Sequence, residues 1–313
     1  MDNESAPTAP RPDGPRPADP HGPPPGAARP WEFTDDRGQV AVAPRTPVRL
    51  AAYAQAGAAL WDHGLRPAGI FGSGHDDPAA PDPAKTGELP LDGLPYYGAG
   101  SALDLDALLA SAPDLVVAVT YGGGQTYGIA PEAAKHLEEQ VPVVALDVSR
   151  GRSLTQVRES CARLASALGA VPDEEAAAEL TSAERRLTLA AGVLPKPRVL
   201  ALSPADGESV HLARPHAWPD LSALTALGVP LVEPARAAGA NWSTVSWEAA
   251  AALESDLVLV DVRAHAGALP AGFAARVHTG PWNPELPPSA RAHTRFLDTV
   301  TAALRGLRAR PGS

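Results

Sequence analysis

Pro113-Asp114-Leu115-Val116-Val117-Ala118-Val119 and Asp256-Leu257-Val258-Leu259-Val260 are one element written twice. Each is a continuous apolar run behind an aspartate, and each follows a short segment with helical spacing, 102–112 in one case and a helix starting near Ser246 in the other. A strand apolar at every position is buried on both faces, as in a parallel sheet covered by helices. Working outward, each half opens on a further strand-like run, 48–53 and 198–203, and between the halves 154–191 reads as helix with a break at 169–172. The pattern predicts an α/β fold of two lobes, each a small mainly parallel sheet flanked by helices, joined by one long backbone helix. The boundaries follow as 1–30 for a Pro-rich tail, 31–150 for the first lobe, 151–192 for the helical segment and 193–313 for the second lobe. Such a fold leaves a cleft between lobes, and clefts of this kind are where small ligands bind.

Composition narrows the function. With 313 residues and 44% apolar content the chain has material for two cores. A formal net charge of -10 argues against nucleic acid or an anionic membrane surface as partner. Cys161 is the sole cysteine and shares helix-core spacing with Val157 and Leu164, which excludes an intrachain disulfide and a thiolate metal cluster. Residues 1–30 alternate Pro, Ala, Gly, Asp and Arg and cannot bury enough surface to fold, so a disordered tail is expected. The tail has neither the charged and apolar regions of a signal peptide nor a cysteine to accept lipid. Read as given, that start implies the cytoplasm; an upstream start or a replaced leader would change it.

Within the first lobe, 31–40 reads as a hairpin around Asp35-Asp36-Arg37-Gly38. Strand 48–53, helix 57–63 and strand 68–71 follow, then a long Pro-rich loop to 94. Strand 114–120, helix 130–140 and strand 143–148 complete the lobe. In the connector, Pro172 followed by Asp173-Glu174-Glu175 suits the start of a helix of about 28 Å.

Arg49 to Gly72 (RLAAYAQAGAALWDHGLRPAGIFG) resembles the opening strand, helix and turn of the iron-siderophore and cobalamin substrate-binding proteins of ATP-binding-cassette importers. The turn appears as Gly64-Leu65-Arg66-Pro67-Ala68-Gly69. Leu105-Asp106-Ala107-Leu108 with Pro113-Asp114-Leu115-Val116, and Ser246-Trp247-Glu248 with Asp256-Leu257-Val258, match two further segments in the right order, so that the resemblance covers roughly 31 to 307. It implies a monomeric two-lobe protein that binds a small-molecule ferric siderophore or similar chelate and presents it to a permease. It implies no cofactor, since iron would enter only inside the chelate. The family works outside the cytoplasmic membrane, unlike the reading of the start above, which leaves an intracellular paralogue uncoupled from an importer as an alternative.

The candidate ligand contacts lie at strand ends facing the cleft. From the first lobe these are Tyr53 and Gln55, His75, Tyr97, and Tyr121, Gln125 and Tyr127 around Gly122-Gly123-Gly124. The glycines would let a bulky ligand approach the backbone; neither their spacing nor a following Lys-Ser fits a phosphate loop. From the second lobe they are Arg214, Trp218, Trp242, Arg263 and Trp282, because rings supply contact area and a guanidinium grips anionic oxygen. A bare zinc or manganese binder is the alternative raised by His63, His75, His136, His211, His216, His265, His278 and His293, but none forms a pair on one helix face, and His136 and His293 read as surface positions. No metal ligand and no catalytic residue is therefore assigned. Phe71-Gly72-Ser73-Gly74-His75 lacks the leading glycine of a nucleophile elbow, and the Asp76-Asp77 pair reads as solvated loop rather than as part of an enzyme.

Overall fold

The computed structural model describes residues 30–235 and 239–308. All of the Pro-rich tail but Pro30 lies outside the described residues. The chain enters through the expected hairpin, β1 (Trp31–Thr34) and β2 (Val40–Ala43), which are antiparallel. Asp35 is its anchor: the buried carboxylate accepts from the Arg37 and Gln39 amides in the turn and from Ala145 N across the lobe.

The first lobe continues as β3 (Leu50–Tyr53), α1 (Ala54–Asp62), β4 (Gly69–Gly72), α2 (Pro83–Thr86), β5 (Tyr96–Ala99), α3 (Leu105–Ala110), β6 (Leu115–Thr120), α4 (Pro131–Gln140) and β7 (Val143–Asp147). Its five strands are all parallel, in the order β5-β4-β3-β6-β7. The quoted run 115–119 is the fully buried part of β6, as its unbroken apolar character predicts. α2 lies within the stretch that reads as loop, and β5 just beyond it, where the sequence pattern assigns no element.

α5 (Leu154–Ala167) opens with a reciprocal Ser153–Gln156 capping box and buries Val157, Cys161 and Leu164 in the first lobe's core. α6 (Glu174–Ala191) starts at the Asp173 cap with Glu174 and Glu175 in its first turn, and buries Leu180, Ala183 and Leu187 in the second lobe's core. The expected break at 169–172 is thus where the chain passes from one core to the other.

The second lobe comprises β8 (Val199–Pro204), β9 (Ser209–Ala213), α7 (Pro219–Ala226), β10 (Trp242–Ser246), α8 (Trp247–Ala251), β11 (Leu257–Asp261), α9 (Ala271–Ala274), β12 (His278–Trp282) and α10 (Ala290–Arg308). Its sheet runs β10-β9-β8-β11-β12. β8, β11 and β12 are parallel, whereas β9 and β10 are antiparallel additions. The connection from β8 to β9 spans only the Asp206-Gly207 turn, too short for a parallel crossover. α6 and α10 cover one face of this sheet, joined also by Arg186 on Asp298 at 2.9 Å. No helix among the described residues is long and apolar enough to cross a membrane.

Leu187 sits at 0% exposure among the side chains of α6, α10 and the sheet. Leu187→Ala is expected to destabilise the second lobe by about 2–5 kcal/mol, through lost burial plus an unfilled cavity, as read by denaturant unfolding.

Candidate functional site

Where the C-terminal ends of the two sheets face each other, a cavity of about 480 Å³ opens between the lobes. The first lobe contributes His75, from the loop after β4, and Tyr121 and Tyr127, from the loop after β6. The second contributes Ser203 at the end of β8, His211 on β9, Trp218, Asn241, Trp242 at the start of β10, and Arg263 and His265 after β11. Walls from both lobes, mostly aromatic with a few hydrogen-bonding groups, suit a bulky ligand with polar edges.

Local geometry explains these placements. Gly122, Gly123 and Gly124 all have positive φ (93°, 70° and 75°), so the loop turns back sharply and Tyr127 N bonds Val119 O at 2.8 Å. The turn brings the Tyr121 and Tyr127 rings edge to face, 4.7 Å between centroids. Gln125, at the exposed crest of that loop, does not line the cavity. Opposite, Trp242 packs against Trp218 at 4.9 Å and Trp282 at 5.8 Å. Trp218 Nε1 donates to Asn241 O, and Trp282 Nε1 to the buried Asp220 carboxylate. Burial pushes Asp220 up to about 6. His75 and His265 meet across the seam with ring centroids 5.2 Å apart.

Behind the cavity lies a buried charge network that the sequence reading misses. Lys85 of α2, 0% exposed, places Nζ 2.6 Å from Asp76 and 2.8 Å from Glu285 of the second lobe. It also donates to Tyr53 Oη and Ser73 Oγ, both at 3.1 Å. Tyr53 donates to the other Glu285 oxygen at 2.6 Å. Arg263 joins from the far side, with its fork on Asp261 at 2.7 Å and a third nitrogen on Glu285 at 3.3 Å, while Ser203 donates to Asp261 at 2.7 Å. Burial and then Glu285 raise the pKa of Tyr53, Tyr121 and Tyr127, so all three stay protonated. Partial desolvation, then the Arg263 charge, lowers His265, keeping it neutral at pH 7.

Of the expected contacts, His75, Tyr121, Tyr127, Trp218, Trp242 and Arg263 come together around this cavity. The others go elsewhere. Tyr53 lies beneath the cavity, bound to Glu285. Gln55 is buried and donates to Leu286 O at the seam. Tyr97 packs over Gly69 inside the first lobe. Arg214, 6% exposed, donates to the Gly239 and Ala235 carbonyls of its own lobe. Trp282 is fully buried behind Trp218. Ser203 at the end of β8, His211 on β9 and Asn241 before β10 also line the cavity, and the sequence pattern does not single them out as ligand contacts.

Among the described residues, one histidine falls in a group that could gather ligand atoms for a metal ion. That group, Asp76, Asp82 and His265, brings ligand atoms within 4.8 Å of one another. Its carboxylates already serve other donors: Asp76 holds Lys85 and Ser73 N, and Asp82 accepts from Ala84 N and from Ala264 N across the seam. His293, expected at the surface, is 0% exposed on α10, because α10 packs inward between the lobes beside Arg158 of α5.

No protein-family model and no curated protein matches the sequence. Solved structures do. DesE, a ferric-siderophore receptor from Streptomyces coelicolor, superposes with a TM-score of 0.78 at 29% identity, covering 88% of this chain and 98% of that one. The siderophore periplasmic binding protein from the fuscachelin gene cluster of Thermobifida fusca gives 0.57 at 18% identity, over 84% and 98%. A periplasmic heme-binding protein from Pseudomonas aeruginosa gives 0.61 at 20% identity, over 85% and 95%. The fold is that of two-lobe periplasmic binding proteins, and the likeness is to siderophore-type substrate-binding proteins, which the chain's motifs also resemble.

Two outcomes test this geometry. Lys85→Met leaves Asp76 and Glu285 buried without their cation, and is expected to lower stability by about 3–5 kcal/mol in thermal or denaturant unfolding. Burial, then Arg158, lowers His293 from 6.5 to about 3. A depressed folded value means stability present above pH 6.5 and lost on acidification towards 3, at up to about 1.4 kcal/mol per pH unit. In His293→Gln the fall in melting temperature across that window should be shallower.

Proposed function

We propose that the protein binds a ferric siderophore, or a closely similar metal chelate, in the cavity between its lobes. The observation that carries the reading is the lining itself: two tyrosines from one lobe face two tryptophans from the other across about 480 Å³. A chelate presents an organic exterior and keeps its iron fully coordinated, so it needs contact area and hydrogen bonds rather than protein ligands to the metal. That matches a cavity whose carboxylates are already engaged. The ferric-siderophore receptor of Streptomyces coelicolor, similar over nearly its whole length, supports the same ligand class. On this reading the protein acts as a binder rather than an enzyme, as the substrate-binding component of siderophore uptake, and its macromolecular partner is an ATP-binding-cassette permease.

The heme-binding neighbour names the competing ligand. Titration separates the two, because Trp218 and Trp242 line the cavity and report on what enters it. A ferric siderophore should quench tryptophan emission saturably, and the iron-free chelator or ferric ion alone should not do so at equal strength. Heme should give no saturable shift of its Soret band. Trp242→Ala should weaken siderophore binding about tenfold by removing one ring wall. Undiminished affinity in that variant would place the ligand elsewhere.

A further inference from the structure

We propose that this cavity selects uncharged or cationic ferric chelates, of the trihydroxamate type, and rejects strongly anionic ones such as ferric tris-catecholates. The inference rests on the chelate-binding reading above and adds the charge of the ligand to it. Among the described residues lining the cavity, Arg263 is the one permanently charged cation. Its guanidinium is not available to an anion: the fork lies on Asp261 at 2.7 Å, a third nitrogen lies on Glu285 at 3.3 Å, and the side chain is 10% exposed. Arg214, the other candidate, turns into its own lobe.

The cluster behind the wall carries acid in excess. Lys85 and Arg263 stand against Asp76, Asp82, Asp261 and Glu285, and all four carboxylate side chains are buried. Of the remaining polar lining, the two tyrosines and His265 stay uncharged at pH 7, and Ser203 and Asn241 do not ionise. A ligand in the cavity therefore meets hydrogen-bonding groups and ring faces in front of a net negative field. In a ferric trihydroxamate, three singly charged groups balance the ion, and their carbonyl and N–O oxygens accept from hydroxyl and amide donors. A ferric tris-catecholate keeps three negative charges. Desolvating those against buried carboxylates without a compensating cation is unfavourable at this range in a low-dielectric cleft.

The test holds scaffold constant and changes charge. A linear ferric trihydroxamate with a terminal ammonium, its N-acetylated form, its N-succinylated form and a ferric tris-catecholate are titrated against the protein by tryptophan quenching, at low and physiological salt. Expected is binding of the ammonium and acetylated forms, at least about tenfold weaker binding of the succinylated form, and still weaker binding of the tris-catecholate. The gaps should narrow as salt rises. Equal affinity across the charge series, or tightest binding of the tris-catecholate, overturns the charge selection while leaving chelate binding intact. Binding of none of the four overturns chelate binding and the selection with it. Asp261→Asn, which removes one carboxylate and loosens Arg263, should shrink the gap between ammonium and succinylated forms. An unchanged gap in that variant refutes the electrostatic origin assigned here.

Discussion

The ammonium of Lys85 constrains the molecule more than any other group. A cation with no exposure must be surrounded by anions and hydrogen-bond acceptors, and its partners come from both lobes: Asp76, Ser73 and Tyr53 on one side, Glu285 on the other. Pulling the lobes apart would strand at least one buried charge, at several kcal/mol by the usual cost of desolvation. Glu285 extends the restraint, because the same carboxylate also takes Tyr53 and Arg263. Around it the seam is closed by bonds between neutral groups, from Gln55 to Leu286 O and from Asn283 to Ala84 O, and by Ala264 N donating to the Asp82 carboxylate. The spacing between the tyrosine wall and the tryptophan wall is thus set by charge pairing beneath them.

The parallel core was legible because a strand buried on both faces needs apolar residues throughout, and 115–119 and 257–260 have them. The elements that escaped have mixed exposure. β10 reads Trp-Ser-Thr-Val-Ser, an edge strand partly open to solvent, and its last serine is also the cap of α8, so helix-start chemistry masks the strand. β5 holds Gly98 at φ 84°, and its tyrosines resemble a loop until β4 pairs with them. α2 is a four-residue turn in a Pro-rich stretch, and nothing in such a stretch marks its lysine as buried.

Within the site, aromatic residues at strand ends were readable and the state of the arginines was not. Asp261 and Arg263 lie two apart at the end of β11, a spacing that in an exposed loop would carry no meaning. Here the strand end turns so that the carboxylate faces inward, accepting from Ser203 and from the Arg263 amide as well as from the fork. The arginine closes the floor of the cavity instead of reaching across it. Glu285 lies two hundred positions from Lys85 along the chain, so their pairing is a product of the assembled fold and no local pattern could announce it.

The tryptophan wall shows how such a floor can serve recognition. Trp282 is fully buried and fixed by Asp220; Trp218 is fixed by Asn241 O; Trp242 leans on both and shows part of its ring to the cavity. The Nε1 donors of Trp218 and Trp282 are satisfied within the protein, so neither draws the stack out of place. Ordering these three side chains is part of folding rather than of binding, and a ligand face laid on Trp242 loses correspondingly less freedom from the protein side. The opposing Tyr121 and Tyr127 are held the same way, edge to face and backed by Tyr53. On the charge selection proposed above, a cleft with walls held in this way would draw its selectivity from shape and from the sign of the field behind it.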